Sequence, residues 1–267
     1  MMTLKTAIPS CFGLGLLAAC GGSTADAPIM LAPATFVEGG TPTAYNTGAG
    51  TLTLNGAAVT DPRNTARITN GEAQVFESGA PVHYTAIAQN GDVFAVATAA
   101  DGGSNLRGFE FGRLGDAELP TTMNATYSGA YAGMFMDDGT PGDQNVFRVM
   151  DGDVALTVGF EDMTLSGSIT DREILDIDGT AAPAVETLAD IQISNGMIAD
   201  NGTFSAMATG GERTYGSGTY IYQSGQVDGT FGGETGDAVA GVLTLQYNNP
   251  ISDNPYREIG AFTGSQD

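Results

Sequence analysis

Few residues in this chain have side chains suited to catalysis. His83 is the single histidine, Lys5 the single lysine, and Cys11 and Cys20 are the only thiols. A Ser-His-Asp site would need His83 beside a nucleophile and an acid. The segment "PVHYTAIAQ" reads as a strand in which His83 shares a face with neither Val82 nor Tyr84, which suits a solvent-facing side chain better than a general base. The chain has no GxSxG elbow, no P-loop and no HExxH. Carboxylate pairs occur at Asp151/Asp153 and Asp176/Asp178. Paired acids can divide acid–base work, but both pairs sit in contexts that read as turns, where exposed Asp is common. "DDGTPGDQN" gathers Asp137, Asp138 and Asp143, hard oxygen donors of the kind Ca²⁺ takes. It lacks EF-hand spacing and the closing Glu, so it also fits a hairpin loop. "GGETGD" has the composition of a Ca²⁺-binding repeat but occurs once. The expectation is a protein that is not an enzyme and carries no cofactor.

The N-terminus points to export. "MMTLK" supplies one positive charge, and "AIPSCFGLGLLAA" is an apolar run too short to cross a bilayer but suited to a signal-peptide core. The following Leu17-Ala18-Ala19-Cys20 resembles the lipobox of bacterial lipoproteins. That resemblance implies cleavage before Cys20 and a diacylglycerol on its thiol. Gly21, standing where Asp would signal inner-membrane retention, implies the outer membrane. The alternative is an ordinary secretory signal with an incidental Cys. With Cys11 removed and Cys20 acylated, no intramolecular disulfide is possible. Cleavage also removes Lys5, leaving eight Arg against thirty-one acids in a chain whose net charge is −22. Such a field repels nucleic acid and anionic headgroups, so membrane attachment falls to the lipid. The acidity also serves solubility without any cationic partner.

The elements that position these residues follow a strand pattern. Residues 1–19 read as the signal peptide and 20–35, "CGGSTADAPIMLAPAT", as a flexible tether. From 36 to 120 the chain alternates as short strands, with Asn90-Gly91 a hairpin signal between two of them. "ELPTTMN" marks a boundary. From 121 to 267 there are eight or nine alternating runs joined by Gly, Asn and Asp turns, among them "GDVALTVGF", "DMTLSGSIT", "YGSGTYIYQ", "GQVDGTFGG" and "AVAGVLTLQY". Val154, Leu156, Val158, Leu243 and Leu245 fall on inward parity, with Gly167, Gly229 and Gly241 among the large residues. Small inward residues let large neighbours fill a closed eight-stranded barrel. A two-sheet sandwich with Gly at bulges fits the same pattern. Tyr127/Tyr131 and Tyr220/Tyr222 read as core, or as an aromatic recognition patch.

"LPTTMNATYSGAYAG", "GDVALTVGFEDMTLSGSIT", "VDGTFGGETGDAVAGVL" and the closing "EIGAFTG" resemble the C-terminal barrel of transferrin-binding protein B-like lipoproteins. That barrel is shared with factor H-binding protein and transferrin-binding-like solute-binding proteins. The resemblance covers about residues 120–267. Where the family often has Glu, "GDAVAG" has Ala238, and the acid stands instead at Glu258. The resemblance implies an all-β chain: a C-terminal eight-stranded antiparallel β-barrel beside a smaller N-terminal β-rich, handle-like domain. It also implies surface or periplasmic display and the binding of a protein or small solute, with a TonB-dependent receptor as a possible partner. The alternatives are a structural surface lipoprotein without a dedicated ligand, or an accessory protein for haem or iron uptake.

Overall fold

The computed structural model describes residues 34–38, 44–46, 51–54, 57–59, 65–78, 83–100, 107–116, 118–120, 124–137, 146–182, 186–216, 218–248 and 255–267. Every regular element among them is a strand. In chain order these are β1 (Thr35–Glu38), β2 (Ala44–Asn46), β3 (Thr51–Leu54), β4 (Ala57–Val59), β5 (Thr65–Asn70), β6 (Ala73–Ser78), β7 (His83–Asn90), β8 (Val93–Ala100) and β9 (Arg107–Arg113). They continue with β10 (Asn124–Asp137), β11 (Val146–Gly159), β12 (Thr164–Asp176), β13 (Glu186–Leu188), β14 (Ile191–Ile198) and β15 (Thr203–Gly210). The last five are β16 (Arg213–Tyr215), β17 (Gly218–Tyr220), β18 (Tyr222–Gly232), β19 (Ala238–Tyr247) and β20 (Tyr256–Gln266).

Eight of these strands close a barrel in the order β10-β11-β12-β14-β15-β18-β19-β20, and β20 returns antiparallel to β10 with Phe262 opposite Tyr131. Closure leaves no edge exposed. The barrel alternation follows the sequence: Val154, Leu156, Val158, Val227, Leu243 and Leu245 point into one buried cluster with Phe204, Phe231 and Phe262. The inward glycines are required by these rings. A Cβ at Gly241 would stand 2.5 Å from Phe262 Cζ and 2.8 Å from the Asp228 carbonyl oxygen. One at Gly260 would stand 2.5 Å from the Tyr131 ring.

A six-stranded sheet, β1-β9-β8-β7-β6-β5, packs on the outside of this barrel; β1 joins β9 in parallel and the rest pair antiparallel. Strands β7 and β8 lie against β19 and β20, and β5 and β6 against β10. The sheet's barrel-side parity is small and buried, with Ala73, Ala86, Ala88, Ala95 and Ala97, so the two layers approach closely. Outward-facing Met134, Met136, Val242, Ile259 and Ala261 of the barrel are buried as well. Polar clamps pin the joint. Two Asn-Gly turns reach across: Asn70 Nδ2 donates to the Gly152 carbonyl at 2.8 Å, and Asn90 Nδ2 to Ser265 Oγ at 2.7 Å. Arg113 Nη1 donates to the Asn201 carbonyl at 2.6 Å.

The structure corrects three expectations. "YGSGTYIYQ" is not one strand. Gly216, at φ +59°, turns the chain between β16 and β17, and Tyr222 begins β18. Strand β12 continues past Thr170 to Asp176, because a bulge at Asp171, in the left-handed region at φ +48°, resets the alternation. Asp151 and Asp153 lie within β11 rather than in a turn, and the register shifts between them at Gly152.

Gly241→Ala is expected to cost roughly 1–3 kcal/mol through overpacking against Phe262. The check is a lower urea midpoint with an unchanged slope. A midpoint equal to the parent's would contradict the tight ring–glycine contact.

Candidate functional site

The densest group of chemistry-bearing side chains lies at one end of the barrel. The bulge at Asp171 turns the next residue, Arg172, inward, where its side chain is fully buried. Arg172 Nη2 donates to Glu258 Oε1 at 2.5 Å, and Nη1 to the Ala189 carbonyl at 2.7 Å. Two phenols complete the carboxylate's shell: Tyr131 OH donates to Oε1 at 2.8 Å and Tyr247 OH to Oε2 at 3.0 Å. Burial first, and the Glu258 charge second, hold both phenols well above their ordinary pKa.

The small sheet β13-β16-β17 carries a second group. Glu186, from β13, takes Arg148 Nη2 at 2.6 Å and Arg213 Nη2 at 2.6 Å on its two oxygens. Arg148 also pairs with Asp176 at 2.9 Å. The Arg213 guanidinium stands 5.0–5.6 Å from the ring centres of Tyr220, Phe147, Phe135 and Tyr215, a cation–π cage that ties the small sheet to aromatic residues of the barrel end. Burial pushes the Glu186 carboxyl up. The hydrogen bonds and charges of Arg148 and Arg213 outweigh this and hold it below the usual range.

This arrangement suits structural locking. Each buried acid is saturated by guanidinium or phenol donors, which leaves it poorly placed to take a proton from a substrate. Among the described residues no group of three or more His, Cys, Asp or Glu is placed to hold a metal ion. Two open recesses lie on the surface, the first beside this group and the second toward the other end of the barrel. One, of about 360 Å³, runs beside the small sheet along Arg172, Ile174, Ala181, Glu186 and Leu188. The other, of about 310 Å³, lies between the edge of the six-stranded sheet and the barrel wall, lined by Phe36, Phe111, Met197, Phe204, Ser205 and Asp228.

The residues singled out from sequence do not converge on this site. Cys20, Asp138 and Asp143 lie outside the described residues, as does the side chain of Asp137, whose backbone ends β10. His83 is the first residue of β7, and its side chain also lies outside them. Asp176 is engaged by Arg148, and Asp178 accepts from Thr180 N and Oγ1 within a turn. Tyr127, Tyr131 and Tyr220 are buried in the barrel core. Sequence reasoning missed Arg172, Glu186 and Arg213. Their charged partners stand 27 to 86 residues away. Glu258 was the readable signal: it shares inward parity with Gly260 and Phe262, and a buried carboxylate demands a partner.

No protein-family model matches the sequence, and no curated protein matches it. Among solved structures the chain is similar to two crystal structures of the vaccine antigen transferrin binding protein B from Haemophilus parasuis Hp5. One is a tryptophan-to-alanine mutant, 13% identical with a TM-score of 0.43, matched over 82% of this chain and 41% of that one. The other is a tyrosine and tryptophan double mutant, 13% identical with a TM-score of 0.41, matched over 82% and 40%. The match thus spans about two fifths of the length of these proteins.

Glu258→Gln is expected to leave Arg172 buried without a counter-charge and to cost on the order of 3–5 kcal/mol. Denaturant unfolding checks it, and a loss under about 1 kcal/mol would contradict the reading. The pH dependence has two limbs. Glu186 binds its proton less tightly folded than unfolded, so its contribution is present above the ordinary carboxylate range and is lost as pH falls below it. Tyr131 and Tyr247 keep their protons when folded, so their contribution is whole below about pH 10 and is lost as pH rises beyond. Melting temperatures across pH should decline on both sides. Glu186→Gln should flatten the acid limb.

Proposed function

We propose that this chain is a non-catalytic binding protein, anchored in the outer membrane through a lipid on Cys20. It captures a protein or solute ligand with exterior loops and the N-terminal β domain of residues 36–120, carried beside the barrel of 121–267. The observation that carries this reading is the occupied lumen. The barrel interior is filled by its own aromatic and aliphatic side chains and closed at one end by buried charge pairs whose carboxylates are fully engaged. Recognition then falls to outer surfaces on a rigid scaffold, where binding residues commonly sit. "LAAC" supports the anchor, and the net charge of −22 supports faster encounter with a basic partner at low salt.

Two measurements test it. Intact mass of the detergent-extracted protein should show diacylglycerol on an N-terminal Cys20, and a mature chain beginning elsewhere would remove the anchor. For binding, a photo-crosslinking amino acid at the exposed turn positions Glu72, Asp92, Asp200 or Glu234 should yield a discrete adduct in living cells. No adduct at any of the four would favour a structural lipoprotein.

A further inference from the structure

Two methionines stand out on the barrel wall. Met197 is 63% exposed and Met207 49%, whereas Met134, Met136 and Met150 are fully buried. Strand pairing sets Met197 of β14 opposite Ser205 of β15, and Met207 lies two residues further along β15, so the two thioethers are diagonal neighbours on one face. Their surroundings on that face are small and polar, with Thr164, Ser166, Gln192, Ser205 and Gln226 outward. Packing does not require large apolar side chains there. Met207 has a partner of its own: Asn195 Nδ2 donates to its sulfur at 3.7 Å, from a bulge that holds Asn195 at φ +53°. Met197 forms part of the wall of the 310 Å³ recess with Phe36 and Phe111.

We propose that Met197 and Met207 form a surface site of reversible oxidation by hydroperoxides, and that its modification replaces an apolar part of the recess wall with a polar one. A sulfur lone pair attacks one peroxide oxygen. The S–O bond forms as the O–O bond breaks; the departing hydroxide, or the alkoxide of an organic hydroperoxide, takes the proton of the new S–OH group and leaves as water or alcohol. Sulfur loses two electrons and the peroxide gains them. The product is a methionine sulfoxide, polar and returned to the thioether by a reductase that oxidises a dithiol to a disulfide and releases water. Exposure of the thioethers on an outer face admits the oxidant without unfolding, and the sulfoxide oxygen on Met207 finds a donor already aimed at it in Asn195. At Met197 the new S–O dipole joins a recess wall that already mixes Phe36, Phe111 and Phe204 with Asn201, Thr203 and Asp228.

The test is a timed exposure of the intact mature protein to hydrogen peroxide, followed by peptide mass mapping and thermal melting. Sulfoxide should accumulate at Met197 and Met207 about tenfold or more faster than at Met134, Met136 and Met150, as their exposure dictates. The melt should remain cooperative, and methionine sulfoxide reductases acting on both epimers should restore the original masses. A Met197→Leu, Met207→Leu double variant should keep its fold and lose the fast phase at these peptides. Equal rates at buried and exposed methionines would overturn the proposal, as would sulfoxide at Met197 and Met207 that forms only as the melt is lost.

Discussion

Closing eight strands into a barrel fixes how much space the interior offers, about one inward side chain per strand at each level. The other features of this chain follow from that limit. Rings at Phe204, Phe262 and Tyr131 fit the lumen only because glycines face them, and Phe231 packs among them. A closed and filled barrel cannot also hold water around a charge. Arg172 and Glu258 must therefore satisfy each other, with Tyr131 and Tyr247 supplying the remaining donors. Two charges taken from water in this way add little net stability, but removing either one is costly.

The same limit shapes both the cap and the outer sheet. Above the buried pair the chain leaves the barrel twice, for β13 and for β16 with β17, and joins the excursions through Glu186 between two arginines. On the flank, alanines on β6, β7 and β8 let the six-stranded sheet approach the barrel, and Asn70, Asn90 and Arg113 fix its position with hydrogen bonds to barrel strands and a barrel turn. Turn residues thus serve twice, forming the hairpin and docking it.

Much of this was legible in the sequence because strand alternation is local. Val154, Leu156 and Val158 announce their face within five residues, and Gly229 and Gly241 mark the close approach of rings, although the sequence does not say which rings. The barrel and the sandwich could not be separated there, since closure depends on β20 meeting β10, more than a hundred residues apart. What escaped was whatever reset the period or depended on distant partners. The bulge at Asp171 hid the second half of β12, and Gly216 turned an apparent strand into a hairpin. Arg172 and Glu258 are unremarkable until the fold sets them 2.5 Å apart. The polar residues that did look chemical, His83 and the Asp137–Asp143 stretch, lie at strand ends or outside the described residues.

The occupied lumen is the claim on which the exterior-binding account rests, and xenon tests it directly. This gas enters apolar voids that side chains leave empty. Methyl resonances of Leu156, Val227, Leu243 and Leu245 should show no saturable shift as xenon pressure rises over the folded protein. A saturable shift at those four residues would reveal an unfilled void inside the barrel and contradict the occupied lumen.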